Sequence, residues 1–334
     1  MHTSKKSALR NGLRRSLWNS VTSAGVALLV GLSFRPCSGE DLPPVVHAAY
    51  NTWGVLSSVR AHKGFDQRLA AIGVKVDWIE FPAGPQFLEA LNVGSVSFGE
   101  SGEAPPIFAQ AAGSKIVYLA HEPANPWSEA ILVPKDSPIH SLADLKGKKV
   151  ATNKASNTHY FLVKALESAG LKFSDIEPVY LSPPDALAAF QGGNIDAWAI
   201  WQPYQGIAEA QGARLLADGT GLVSNYGFYI GSRDFAEKYP TIVAILKEEI
   251  AKIDAQVQKN PDGLIAELGP QVRIPPPILK SILSRQHWGV EEITPDIVAY
   301  QQQIADTFLK LGLIPAPVVI QDAVLATPKI TAAH

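Results

Sequence analysis

One pattern is written twice in this chain, and it restricts the fold more than any other feature. Pro85-Gln86-Phe87-Leu88-Glu89-Ala90-Leu91 leads to Gly94-Ser95-Val96, then to Gly99-Glu100-Ser101-Gly102-Glu103 and Ala104-Pro105-Pro106. Further on, Pro184-Asp185-Ala186-Leu187-Ala188-Ala189-Phe190 leads to Gly193-Asn194-Ile195-Asp196 and the turn-like Trp201-Gln202-Pro203. Aligning Gly94 with Gly193 also aligns Pro85 with Pro184 and Val96 with Ile195. A supersecondary unit used twice points to two similar lobes, and the simplest place for a site is between them. In the first copy, a short buried strand at 96–98 is expected to run into a glycine-rich turn and then a helix opening at Ala104. That arrangement aims backbone N–H groups at an anion. By itself it also describes an ordinary strand-to-helix connection.

The rest of the chain alternates strand and helix. Strands are expected at 44–50 and 74–81, the second with period-2 alternation, and again at 116–119. Helices are expected at 60–72, from Pro85, and at 158–168. Repeated βα units mean α/β lobes, each with a mostly parallel sheet flanked by helices. Pro134-Lys135-Asp136-Ser137-Pro138 marks a change of unit. We therefore expect a first lobe over 40–133, a second over 134–223, and a return to the first over 224–334. The return begins with a strand at 223–230 and continues in helices from Pro240, Pro276 and Pro295. Hinges are expected near Val133-Pro134 and Ser224-Asn225.

The first 39 residues have a different character. Lys5, Lys6, Arg10, Arg14 and Arg15 form a basic segment with no acidic residue before Glu40, followed by an apolar run at 21–32. That is the pattern of a secretory signal peptide, too short to span a membrane as a helix. The adjacent Arg14-Arg15 also permits twin-arginine export. With Arg35, this leader holds six of the 29 basic residues, leaving 23 against 31 acidic ones, a net charge near −8. Such a balance counts against nucleic acid or anionic membrane as partner. The only cysteine, Cys37, sits at the leader's edge, where the residues before it lack the small side chains that precede a lipidated cysteine. A soluble exported chain without thiol or disulfide chemistry is the expectation.

Enzyme motifs are incomplete. Leu145-Lys146-Gly147-Lys148-Lys149 lacks the spaced glycine of a phosphate loop, and Gly99-Glu100-Ser101-Gly102-Glu103 breaks the nucleophile-elbow spacing at its last position. The eight histidines make no metal-spaced helical pair. No catalytic residue, metal or cofactor is expected.

Longer stretches carry a family resemblance: Phe81-Pro82-Ala83-Gly84-Pro85-Gln86, then 102–111 and 128–134, the segment Asn153 to Tyr160, and Ala197-Trp198-Ala199-Ile200-Trp201. Together, in order from about Val45 to the C-terminal helices, these resemble the aliphatic sulfonate-binding proteins of ABC importers. The resemblance implies a periplasmic binding protein type II fold, two lobes closing over an alkanesulfonate, docking on a membrane permease, and a role in sulfur supply. It also implies a monomer. A sulfonate is a permanent anion and needs donors rather than an acid or base. Four expected helix N-termini supply them, at Gly84-Pro85-Gln86, Ser101-Gly102-Glu103-Ala104, Asn157-Thr158-His159 and Pro184-Asp185.

The expected anion shell is Gln86, Ser101, Gly102, Asn157 and Thr158, with Asn51, Glu103 and His159 beside it. Trp198 and Trp201 are expected to flank the alkyl part, Trp201 above all, with Trp127 and Trp53 as further candidates. Ser101 and Asn157 also suit helix capping, and His159 also suits a purely structural place. Three positions depart from the family: Asn51 where it reads Gln, Glu100 where it is small or hydroxylic, and Gln202 where it has Asp. Glu100 would repel an anion unless it points away or meets an amine on the ligand. Taurine, nitrate or another small anion therefore stays open as the ligand.

Overall fold

A computed structural model describes residues 41–51, 54–263, 265–266 and 274–325. The signal peptide expected over 1–39, Cys37 and Trp53 lie outside the described residues. The chain starts with β1 (Val45–Asn51), α1 (Val55–His62), α2 (Gly64–Ala71), β2 (Lys75–Phe81), α3 (Gly84–Asn92), β3 (Phe98–Gly102), α4 (Pro105–Ala111) and β4 (Ile116–His121). It continues through β5 (Glu129–Val133), β6 (Lys149–Thr152), α5 (Asn157–Ser168), β7 (Glu177–Tyr180), α6 (Pro183–Gln191), β8 (Ala197–Trp201), α7 (Tyr204–Ala210) and β9 (Arg214–Asp218). Then come β10 (Gly227–Ser232), α8 (Arg233–Lys238), α9 (Pro240–Lys259), α10 (Pro276–Arg285) and α11 (Pro295–Lys310).

These strands make two five-stranded sheets, β2-β1-β3-β10-β4 and β7-β6-β8-β5-β9. The two orders match position by position. In each sheet the fourth strand alone runs against its neighbours: β10 is antiparallel to β3 and β4, and β5 to β8 and β9. β1 pairs in parallel with β2 and β3, and β6 with β7 and β8. The repeated sequence unit is α3–β3 in one sheet and α6–β8 in the other. Gly94 (φ 74°) and Gly193 (φ 68°) turn the chain out of the two helices in the same left-handed conformation, which only glycine adopts without strain.

Three expectations are corrected. Gly99-Glu100-Ser101-Gly102 is strand rather than turn: β3 begins at Phe98, and its register pairs Ser101 with Phe228 and Gly102 with Gly227. The single helix expected at 60–72 is two helices, broken at Lys63, whose φ of 64° cannot continue α1. Finally, β5 was expected to close the first lobe but is hydrogen-bonded in the second sheet. The first crossover therefore runs through 122–128, ahead of Val133-Pro134, because an apolar strand pairs wherever an edge is open, whatever its place in the sequence.

Both crossovers lie side by side. Asn125 N donates to Ser224 O (3.1 Å) and Glu122 N to Gly227 O (2.8 Å), while Asn225 Nδ2 donates to Asn125 O (3.0 Å) and Ser128 Oγ (2.9 Å). Behind them α11 touches both lobes. Its Phe308 packs on Phe108 of α4 (4.8 Å between ring centroids) and on Tyr160 of α5 (5.8 Å). Burying one aromatic ring against two lobes ties them at the back and leaves the cleft at the front to open.

Candidate functional site

The strand ends on either side of the crossovers bound a cavity of about 720 Å³. Asn51 ends β1, Ser101 and Gly102 end β3, and Trp201 ends β8; all four line it, as do Ser156 and Asn157 at the start of α5. A crevice beyond the carboxyl ends of parallel strands is where α/β folds hold small ligands.

The lobes approach closely at Gly102. A Cβ placed there would lie 2.5 Å from Asn157 Oδ1, so only glycine lets the end of β3 rest on the first turn of α5. Asn157 is held from its other side. Its amide nitrogen donates to Glu129 Oε1 and to Asn225 Oδ1 (3.0 Å). Both side-chain N–H groups are then committed, so what Asn157 can offer a ligand is its backbone N–H. Helix α5 begins with Asn157 and Thr158, residues with intact backbone N–H groups that lie ahead of the first intrahelical bond. In the same lining is the hydroxyl of Ser101, packed against Gly84 at the start of α3, 6% exposed and without a hydrogen-bond partner among the described residues. A buried hydroxyl left unpaired costs stability, which a ligand oxygen recovers. The start of a twelve-residue helix plus a free hydroxyl makes a neutral anion site.

Of the other expected helix N-termini, the start of α3 brings Gly84 and Pro85 to the cavity lining, and the remaining two are poorer donors. Helix α4 opens on Pro105-Pro106 and α6 on Pro183-Pro184, each pair lacking two N–H groups, and Ser182 already caps Asp185 N (3.4 Å). The start of α1, which was not among the expected sites, is occupied from within. Glu100 accepts from Leu56 N (2.9 Å) and Asn51 N (3.4 Å), and a Cβ on Gly54 would lie 1.7 Å from its Oε1. The carboxyl group therefore stands where an outside anion would have sat.

Of the remaining expected residues, Gln86, Glu103, Thr158, His159 and Trp198 have no place in the cavity lining. Glu103 is fully buried and accepts from Tyr226 N (3.0 Å) and Tyr300 OH (3.3 Å), anchoring the second crossover to α11. The Thr158 hydroxyl is bonded to those of Thr152 (3.1 Å) and Ser156 (3.0 Å). His159 lies among Phe173, Tyr180 and Phe308, takes a bond from Ala155 N (3.3 Å), and is held neutral by burial and by Lys154, with its pKa pushed down to about 4. Trp198 packs on Phe190 and Tyr204 inside the second lobe. Strand alternation explains the last case: Trp198 and Trp201 are three apart and face opposite sides of the sheet. Trp127 is likewise outside the lining and stacks under Arg285 at 4.2 Å. Gln202 accepts from Gly206 N (3.2 Å) and so caps α7.

Several lining residues were not among the expected site residues. Glu122, Asn125 and Ser128 come from the first crossover, Asn225 and Tyr226 from the second. Leu279 and Leu283 of α10, Trp288 and Ile207 of α7 supply apolar lining. Burial is the main electrostatic influence here. It pushes Glu100 and Glu103 up to about 8 and Glu122 to about 7, and it raises Glu129 well above the usual carboxyl range with Glu103 adding repulsion.

Residues 61–262 match the family described as NMT1/THI5 like. The aliphatic sulfonates-binding protein of Escherichia coli (strain K12) is 41% identical over 308 residues, 91% of this chain and 96% of that protein. The crystal structure of the periplasmic aliphatic sulphonate binding protein SsuA from Escherichia coli superposes with a TM-score of 0.77 at 42% identity, over 84% of this chain and 97% of that one. The alkanesulfonate-binding protein SsuA from Xanthomonas axonopodis pv. citri, bound to MOPS, gives 0.80 at 38% identity, over 85% and 99%. The desulfurization enzyme DSZB shares the fold at 16% identity, with a TM-score of 0.61 over 84% of this chain and 96% of that one.

Proposed function

The chain belongs to the aliphatic sulfonate-binding proteins within the NMT1/THI5-like family, and from that premise we propose that it captures an organic sulfonate between its lobes and hands it to an ABC permease. The observation that carries this reading is the neutral donor set lining the cavity: the buried Ser101 hydroxyl, unpartnered among the described residues, and the start of α5. A permanent anion needs donors fixed in place and no proton transfer, and helix starts and hydroxyls supply them. Trp201 and the wall formed by Leu279, Leu283 and Trp288 then take the apolar part of the ligand.

The chain acts outside the cytoplasm, in the periplasm, as a monomer, and performs no reaction on its ligand. Ligand closes the cleft by rotation about the two crossovers, with Asn157 bedding on Gly102 as the lobes meet. The exported sulfonate-binding role also suits sulfur acquisition. Among rival readings, the fold shared with DSZB is compatible with catalysis, but fold alone does not assign function. Glu103, buried and bonded to Tyr226 N and Tyr300 OH, is spoken for structurally, so Ser101 has no base in hydrogen-bond reach among the described residues.

The test is a thermal-shift series on the mature protein with alkanesulfonates, sulfate and nitrate. A ligand at about a hundredfold over its Kd stabilises the folded state by ~3 kcal/mol. Sulfonates raising the melting temperature, with nitrate leaving it unchanged, is the expected result. No shift with any sulfonate overturns the reading.

A further inference from the structure

Besides the contact of Gly102 with Asn157, the two lobes touch where α7 meets α10. Gly206, the third residue of α7, belongs to the second lobe. A Cβ placed on it would lie 2.8 Å from Ile278 Cγ2 and 3.2 Å from Gln202 Oε1, the atom that accepts from its own N–H. The second contact eases with a slight turn of a long side chain, but the first does not. Ile278 packs with Ile274, Leu279 and Leu283 on the core of the first lobe, and a β-branched residue in a helix is stiff at χ1. Glycine inside a helix is less stable than alanine, and what this one permits is the close approach of α10. The residues that follow the touching pair, Ile207 and Leu279, both line the cavity, so the contact stands at the edge of its apolar end.

The other end of α10 is pinned. Asn125 Oδ1 accepts from His287 N (2.7 Å), Asn125 Nδ2 donates to His287 O (3.1 Å), and the Arg285 guanidinium lies over the Trp127 ring at 4.2 Å. Asn125 and Trp127 belong to the first crossover. Helix α10 therefore runs from the segment about which the lobes turn to the face of the opposite lobe. A helix held in this way covers the apolar side of the cleft when the lobes meet.

Resting on the sulfonate reading above, we infer that the Gly206–Ile278 contact is a specificity-determining seal: it shuts water out of the apolar end and so makes affinity depend on the length of the ligand's alkyl tail. A tail gains from binding only as its methylenes leave water, and an open seam between α7 and α10 leaves them wet. The sulfonate end is held by other elements, Ser101 on β3 and the start of α5. One interlobe contact thus closes over the anion and the other over the tail.

The experiment is titration calorimetry of the protein with unbranched alkanesulfonates from methanesulfonate to hexane-1-sulfonate, read as the gain in affinity per methylene. In the wild-type protein each added methylene is expected to tighten binding about threefold to fourfold. Gly206→Ala forces α10 away and Ile278→Ala leaves a gap. In either variant the gain should fall below about twofold per methylene, with methanesulfonate affinity within about threefold of wild type. The double variant Gly206→Ala/Ile278→Ala moves a side chain from one side of the seam to the other and should recover the wild-type gain, which mere destabilisation would not allow. Ile278→Ala adds no atom, so it reports even where Gly206→Ala fails to fold. A wild-type gain in both single variants overturns the inference and leaves the sulfonate reading standing. So does an equal loss at every chain length, a double variant no better than the worse single one, or a wild-type protein indifferent to chain length. Failure of every sulfonate to bind the wild-type protein overturns the sulfonate reading and the inference with it.

Discussion

At the same place in their sheets, β3 ends on Glu100-Ser101-Gly102 and β8 ends on Ala199-Ile200-Trp201. Both strands follow a helix that opens near a proline and closes on a left-handed glycine, so the backbone path is common to the two lobes. Their chemistry is opposite. The first copy brings small and polar groups to the cleft and lets the other lobe come within contact of its main chain; the second brings a large aromatic surface. The repeat thus behaves as a scaffold whose last three residues are free to differ, since the strand's hydrogen bonds come from the main chain and place no demand on the side chains at its end. A cleft built from two unlike copies can grip an amphipathic ligand at both ends, which two identical copies could not.

That contrast can be broken by making the first copy resemble the second. Gly102→Val places a side chain against Asn157 and should hold the lobes apart. We expect sulfonate affinity to fall by about a hundredfold or more, the scale of a badly overpacked contact, with little loss of thermal stability. Titration calorimetry together with small-angle scattering checks this. Wild-type affinity in the variant, with normal compaction on binding, would show that the Gly102–Asn157 contact is not part of closure.

Trp201→Ala removes the aromatic surface from the second copy. A loss of about tenfold to thirtyfold in affinity is expected from the lost apolar contact, and the folded state should be little affected because Trp201 is only half-buried. The effect should grow with the length of the alkyl chain. Equal affinity in mutant and wild type takes Trp201 out of the site. Ser101→Ala is a smaller change. Without the hydroxyl, sulfonate binding should weaken about fivefold to tenfold, the value of one hydrogen bond, while the empty protein becomes no less stable because that hydroxyl is unpaired. A drop in the melting temperature of the empty protein would instead give Ser101 a structural partner.

The smallest expected effect belongs to the buried acids of the first copy and the crossovers. Glu100 and Glu103 at about 8 and Glu122 at about 7 bind protons more tightly folded than unfolded. The stability they contribute is complete below the ordinary carboxyl pKa and is lost as pH rises towards about 8. Calorimetric scans should show the melting temperature falling by several degrees between about pH 5 and pH 8.5, given the usual few degrees per kcal/mol for a chain of this size. Glu103→Gln should flatten that slope. A melting temperature that rises over the same interval would place these carboxyls in ionised, paired states.

Much of the fold could be read from the residues because its units are local. Proline at the first turn and glycine at the exit of α3 and α6, and the alternation across β2, are consequences of backbone sterics within a few residues. The site was less legible, in a graded way. Ser101, Gly102, Asn157, Asn51 and Trp201 were accessible to sequence reasoning because strand ends and helix starts are natural site positions in such lobes. Trp198 and Thr158 sit in the same segments but face inward: one position along a strand reverses which way a side chain points, and one step around a helix turns it by about 100°. Glu122, Asn125 and Trp288 carried no signal, and Asn225 was expected only as part of a hinge. They are isolated polar or aromatic residues in connecting segments far apart in sequence, brought together only by the paired crossovers.

The amino-acid sequence alone determined the two-lobed α/β plan, the doubling of the α3–β3 unit in α6–β8, and the family, since each rests on short-range pattern and on ordered motifs. Only the tertiary structure decided that β5 crosses to the second sheet, that Asn157 spends its amide on Glu129 and Asn225, and that Glu100 fills the start of α1. Each of these depends on which partner reaches a hydrogen-bonding group first in space. Donors and acceptors separated by tens of residues compete on distance and burial, and the order of residues along the chain encodes that competition only through the fold it produces.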